Sequence, residues 1–156
     1  MGAYRTIVVG TDGSETSFRA VDRAASVAAD AGATLYLLTA YHPMTARERD
    51  DARNALGDDA YKVQGSTPAD DVLRDAEDRA TKLGVKKVKK LAVEGDPVDA
   101  LVKAALDNDV DLLIVGNRGL NSLAGRLLGS VPANITHKAN CDVLIVHTTG
   151  KGAPKS

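Results

Sequence analysis

Hydrophobic positions along the chain switch period several times, and each switch marks an element. Thr6-Ile7-Val8-Val9-Gly10 is a short continuous apolar run, the pattern of a strand covered on both faces. Thr11-Asp12-Gly13-Ser14 ends it and opens a helix. Phe18, Val21, Ala24, Ala25 and Ala28 then recur at helical spacing as far as Gly32, a C-terminal glycine. Leu35 to Ala40 is a second apolar strand. Together these predict a βαβ unit, with parallel strands and a right-handed crossover.

The pattern weakens from Tyr41 to Thr67, where Arg47-Glu48-Arg49-Asp50-Asp51 mixes charge signs and Gly57, Gly65 and Pro68 interrupt. A solvated connection is expected there, although long connections in compact domains also serve as lids or binding loops. Thr67 is expected to cap the next helix, with Pro68 in its first turn. Val72, Leu73, Ala76, Ala80 and Leu83 form its apolar face before Gly84. Lys86, Lys87, Lys89 and Lys90 lead into Leu91-Ala92-Val93. They predict an edge strand whose lysines discourage pairing with other chains, or else a basic patch for phosphate. Asp96-Pro97 opens a helix with Val98, Leu101, Val102, Ala105 and Leu106 inward. Asp111 to Gly116 is the most apolar strand, and after Ser130 a helix turns Ile135 and Ala139 inward. Cys141 to Val146 is the last strand.

Strands alternating with helices in this way predict a Rossmann-like, doubly wound α/β parallel sheet with helices on both faces. In such a sheet, ligands enter at the carboxyl ends of the strands where the winding direction reverses. The two strand ends richest in special residues are Gly10-Thr11-Asp12-Gly13 and Gly116-Asn117-Arg118-Gly119. They form one site if the first and fourth strands are neighbours.

Size and composition narrow the function. A chain of 156 residues with 44% hydrophobic and 26% charged residues is expected to be one globular domain over 1–149, with 150–156 a disordered tail. A net charge of −1 points to neither a polyanion nor a membrane surface as the main partner. One Phe and no Trp leave no stacking platform for single-stranded nucleic acid. Cys141 is the only cysteine, so no disulfide framework forms within the chain. With no apolar leader or long apolar run, the expected compartment is the cytosol.

After the fourth strand the chain reads Gly116-x-x-Gly119, nine residues, then Gly129-Ser130-Val131. Backbone N–H groups at a helix start are unpaired and lie at the positive end of its dipole, so the start at Gly129-Ser130 can take a phosphate. The same two residues can also serve only as a cap. Arg118 could add charge and hydrogen bonds. Asp12 could accept hydrogen bonds from ribose hydroxyls or a base, or else it or Ser14 caps the first helix. The stretch is neither a P-loop nor the dinucleotide fingerprint. His42, His137 and His147 are scattered, Ser130 has no evident base, and nothing recognisable activates a nucleophile.

These two motifs, with Val8-Val9-Gly10-Thr11-Asp12-Gly13-Ser14, resemble the nucleotide-binding subgroup of the universal stress protein family, from Tyr4 to His147. The resemblance implies a five-stranded parallel sheet in the order 3-2-1-4-5. It implies a module that binds an adenine nucleotide, usually ATP, in stress response or signalling, and that is commonly a homodimer through the last strand. Carried over by position, Asp12 would contact ribose or base beside Gly10 and Thr11, and Ala40 would line the adenine pocket. Gly116, Arg118 and Gly119 would wrap sugar and phosphates, while Gly129, Ser130 and Val131 would hold phosphate. Magnesium is expected only with ATP. The alternative is a slow ATPase or phosphotransfer protein using Ser130 or a metal at Asp12.

Two residue-level points modify this expectation. The uncharged run Val143 to Val146, placed at an edge, wants a partner strand. Pro132 stands where ATP-binding relatives often have Ser or Thr, and it removes one N–H from the phosphate cradle. AMP or cyclic AMP is therefore expected to compete with ATP.

Overall fold

The first apolar run forms β1 (Thr6–Gly10), and the helical stripe that follows forms α1 (Glu15–Ala31). The structure is a computed structural model and describes residues 2–41, 68–117 and 130–148. The remaining elements are β2 (Thr34–Tyr41), α2 (Pro68–Lys82), β3 (Lys87–Glu94), α3 (Pro97–Asp107), β4 (Leu112–Gly116), α4 (Ser130–Lys138) and β5 (Asp142–Val146). The connection after Tyr41 with its expected cap Thr67, the residues Arg118, Gly119 and Gly129, and the tail 150–156 lie outside the described residues.

All five strands are parallel, in the order β3-β2-β1-β4-β5. The central three are near-continuous apolar runs because helices cover both of their faces. On one face, α1 and α2 enclose Ile7, Val9, Leu35, Leu37 and Ile114. On the other, α3 and Ile135 of α4 close over Val8, Leu38, Leu113 and Val115. The α1 stripe of Ala20, Val21, Ala24, Ala25 and Ala28 is fully buried, and its small side chains let the helix lie close to the sheet. Each fully buried Leu, Ile or Val stabilises the fold by about 1.5–3 kcal/mol relative to exposure.

Helix boundaries follow local chemistry. Ser14 caps α1 by accepting the Ser17 N–H at 3.2 Å, and Gly32 ends it at φ 66°. Asp96 caps α3 by accepting the Asp99 N–H at 3.1 Å, with Pro97 in the first turn.

Two expectations fail at helix ends. Leu83 was expected inward but is 44% exposed, because α2 stops at Lys82 and the turn swings it off the sheet. Leu106 is 54% exposed; the buried stripe of α3 is Val98, Leu101, Ala104 and Ala105, and Leu106 sits on its flank. At the sheet margins, β3 is an edge strand with Lys87, Lys89 and Lys90 exposed. The opposite edge is β5. No helix among the described residues is long and apolar enough to cross a membrane.

Candidate functional site

β1 and β4 lie side by side, with Val9 opposite Ile114, so Gly10 and Gly116 leave the sheet at the same edge. From β1 the chain winds outward through β2 to β3, then crosses back to place β4 on the other side of β1. This reversal opens a crevice at the carboxyl ends of β1 and β4.

The first wall is the turn from β1 into α1. The Thr11 N–H donates to the Leu38 carbonyl at 2.9 Å, carrying the β1–β2 ladder one residue further. The Thr11 side chain is fully buried, and its hydroxyl lies 2.7 Å from that of Ser17. The Ser17 proton goes to the Ser14 carbonyl at 2.9 Å, so Thr11 is the donor in that pair. The Thr11 oxygen also accepts the Gly13 N–H at 3.2 Å. Its hydroxyl is therefore committed to holding the turn.

Asp12 is half-buried beside it. Its Oδ1 accepts the Ser14 N–H at 2.9 Å, closing an Asx turn over Gly13. Gly13 has φ 85°, and a Cβ there would stand 2.7 Å from Val72 Cγ2 of α2. Of the two residues expected as alternative caps for this helix, Ser14 takes the role. Ser14 caps α1 directly, and Asp12 fixes the Ser14 backbone.

The second wall is the exit of β4. Gly116 is buried, and a Cβ on it would lie 3.1 Å from Thr148 Cγ2 and 3.8 Å from Ala20 Cβ. The Asn117 N–H donates to the Val146 carbonyl at 2.8 Å. The Asn117 Oδ1 accepts both the Thr148 N–H at 2.9 Å and the Thr148 hydroxyl at 2.8 Å. Sequence reasoning singled out neither Asn117 nor Thr148. The one available signal was a side-chain amide directly after an apolar strand.

Ala40 lies one strand away from β1, near the end of β2 and opposite Val93 of β3, half-buried on the α3 face. α4 begins at Ser130, with Pro132 buried in its first turn. Because α4 joins two parallel strands, its N-terminus lies at the same edge as the crevice. The structure thus gathers Gly10, Thr11, Asp12 and Gly116, with Ala40 a strand away. Arg118, Gly119 and Gly129 fall outside the described residues, and for Ser130 and Val131 only the backbone is described.

Away from this edge, Cys141 is half-buried, and burial first, then the negative Asp142 and Asp111, push its thiol above the ordinary value. Among the described residues, no group of three or more His, Cys, Asp or Glu is arranged to hold a metal.

Comparison with known proteins agrees with this architecture. The model of the universal stress protein family matches residues 3–147. The universal stress protein Rv1636 of Mycobacterium tuberculosis H37Rv is 54% identical over 151 residues, which are 96% of this chain and all of that protein. A crystal structure of a universal stress protein in complex with cAMP is 47% identical. It aligns with a TM-score of 0.73 over 95% of this chain and all of its own. The solved structure of the hypothetical protein MJ0577 is 28% identical, with a TM-score of 0.70 over 95% of this chain and 99% of its own.

Proposed function

The chain belongs to the universal stress protein family, and we propose that it is a cytosolic module that binds an adenine nucleotide as a sensor or store. The observation that carries the reading is the adjacency of β1 and β4, which sets the Asp12 turn and the Gly116 exit on one crevice. The 47% identical relative in complex with cAMP supports the ligand class. In this reading Asp12 accepts hydrogen bonds from ribose or base, and Gly10 and Gly116 let the ligand approach the backbone. Ala40 lines the base pocket, while Arg118, Gly119, Gly129, Ser130 and Val131 serve the sugar and phosphates. Pro132 deletes one N–H from the first turn of α4, so AMP and cyclic AMP compete with ATP, and magnesium accompanies ATP alone.

Calorimetry with ATP, AMP and cyclic AMP tests this directly. Wild type binds at least one of them, and Asp12→Ala binds it about tenfold more weakly or worse. A wild type that binds none, or an Asp12→Ala variant that binds equally well, sinks the reading.

The same proposal includes a homodimer through β5. That strand is an edge, and Leu144 and Ile145 are 36% and 39% exposed on it. Among the described residues the uncharged run Val143 to Val146 has no strand on its outer side, which makes it a ready template for a second copy. Native mass spectrometry should show a dimer in wild type and a monomer in Ile145→Lys.

A further inference from the structure

We infer that Thr148 is a positioning residue for the nucleotide crevice, a latch that holds its two walls at a fixed separation. The inference rests on the nucleotide reading above and adds to it residues that lie outside the glycine motif.

Thr148 is 1% exposed and is tied through three of its atoms. Its N–H and its hydroxyl both donate to Asn117 Oδ1, at 2.9 and 2.8 Å. Two donors converging on one atom require that atom to be the amide oxygen, so the orientation of the Asn117 side chain is determined. The Thr148 carbonyl accepts Arg19 NH1 of α1 at 2.8 Å. Its methyl group occupies the space left by the missing side chain of Gly116, within 3.1 Å of where a Cβ would stand.

These contacts join opposite halves of the site. Asn117 is the first residue beyond β4, whereas Arg19 lies on α1, the helix opened by the Asp12–Ser14 turn. The β1–β4 ladder ends at Val9 opposite Ile114, and beyond it Thr148 links the exit of β4 to α1 by hydrogen bonds. Arg19 Nε is buried with no hydrogen-bond partner among the described residues. Keeping that donor buried is unfavourable, and the fold tolerates it while NH1 holds Thr148. A binding site held by locked side chains keeps its geometry to within about 0.5 Å, and loosening the support weakens the ligand without removing a ligand contact.

Thr148→Val preserves shape and deletes the hydroxyl donor, while Thr148→Ser keeps the donor and drops the methyl. Tyr4→Phe serves as a control, because the Tyr4 hydroxyl bonds Asp142 at the start of β5, the opposite edge of the sheet. Nucleotide affinity is measured by calorimetry, with the tightest of ATP, AMP and cyclic AMP, beside the thermal midpoint of each variant. Thr148→Val should bind about tenfold more weakly. Thr148→Ser should recover most of that loss, and Tyr4→Phe should bind like wild type even where its midpoint falls.

Wild-type affinity in Thr148→Val overturns the inference, as does a loss that merely tracks midpoint across all variants, Tyr4→Phe included. Should Thr148→Val fail to fold, Arg19→Met releases the Thr148 carbonyl instead. A several-fold loss is expected there, and unchanged affinity overturns the latch. A wild type that binds no nucleotide overturns the functional reading and the latch together. Wild-type binding with unchanged Thr148→Val overturns the latch alone.

Discussion

Arg79 of α2 and Asp22 of α1 meet in a two-pronged ion pair, Nε on Oδ1 and NH2 on Oδ2, both at 3.0 Å. The same guanidinium lies 5.0 Å from the ring centroid of Phe18, one helical turn before Asp22. One side chain of α2 therefore grips two positions on α1. The planar fork fits a carboxylate in a way that lysine cannot reproduce. The pair remains partly exposed, at 34% and 21% of the two side chains, so its energy is that of a good surface contact.

Arg79→Ala should lower unfolding stability by about 1–2 kcal/mol, the sum of a well-formed surface pair and a cation–π contact. Arg79→Lys should lose much of the same. Urea titration measures both, and the wild-type advantage should shrink in about 1 M salt as the pair is screened.

The Tyr4 hydroxyl donates to Asp142 Oδ2 at 2.9 Å. That hydrogen bond first, then desolvation and the negative charges of Asp142 and Asp111, raise the phenol above its ordinary value of 10.0. A raised value means that the folded state favours the neutral phenol. Its stabilising effect is complete below the unfolded value and is lost as pH rises through the folded one. Wild type should therefore lose more stability than Tyr4→Phe between about pH 9 and about pH 11. Parallel losses in urea titrations at stepped pH would refute the coupling.

Gly13→Ala should cost about 2 kcal/mol, from an L residue at positive φ and from its methyl meeting Val72. The two parts are separable. Val72→Ala removes the Cγ2 that lies 2.7 Å from the added Cβ, but it leaves φ at 85°. A double-mutant cycle should show partial relief only.

Gly116→Ala should destabilise by about 1–2 kcal/mol, since the added Cβ would lie 3.1 Å from a Thr148 methyl that three hydrogen bonds hold in place. Thr148→Ser deletes that methyl. The double variant should recover part of the loss, and strict additivity in the melts would show that the methyl was free to move.

Most of the fold was legible because period and punctuation agree along the chain. Apolar runs, the stripe of α1 and the Gly32 stop all report local preferences that the tertiary structure keeps. Leu83 misled because it falls one residue past the end of α2, and Leu106 because it lies on the flank of α3 beside the buried stripe. The candidate site was legible as two strand ends, since a doubly wound sheet opens where its winding reverses. Its supporting contacts were not legible. Asn117 and Thr148 lie 31 residues apart; an amide directly after an apolar strand is the one local sign of Asn117, and Thr148 carries none.

The sequence by itself determined the order and kind of elements, the helix starts after Asp12-Gly13-Ser14 and at Asp96-Pro97, and the glycine and aspartate placed at the ends of β1 and β4. These depend on backbone preferences and burial periods that act over a few residues. Tertiary structure alone decided that the Thr11 hydroxyl turns inward to Ser17, that Asp12 braces Ser14, and that Thr148 bridges α1 to Asn117. A polar side chain takes whichever partner the packed chain brings within about 3 Å. For groups far apart in sequence, only the assembled sheet and helices supply that partner.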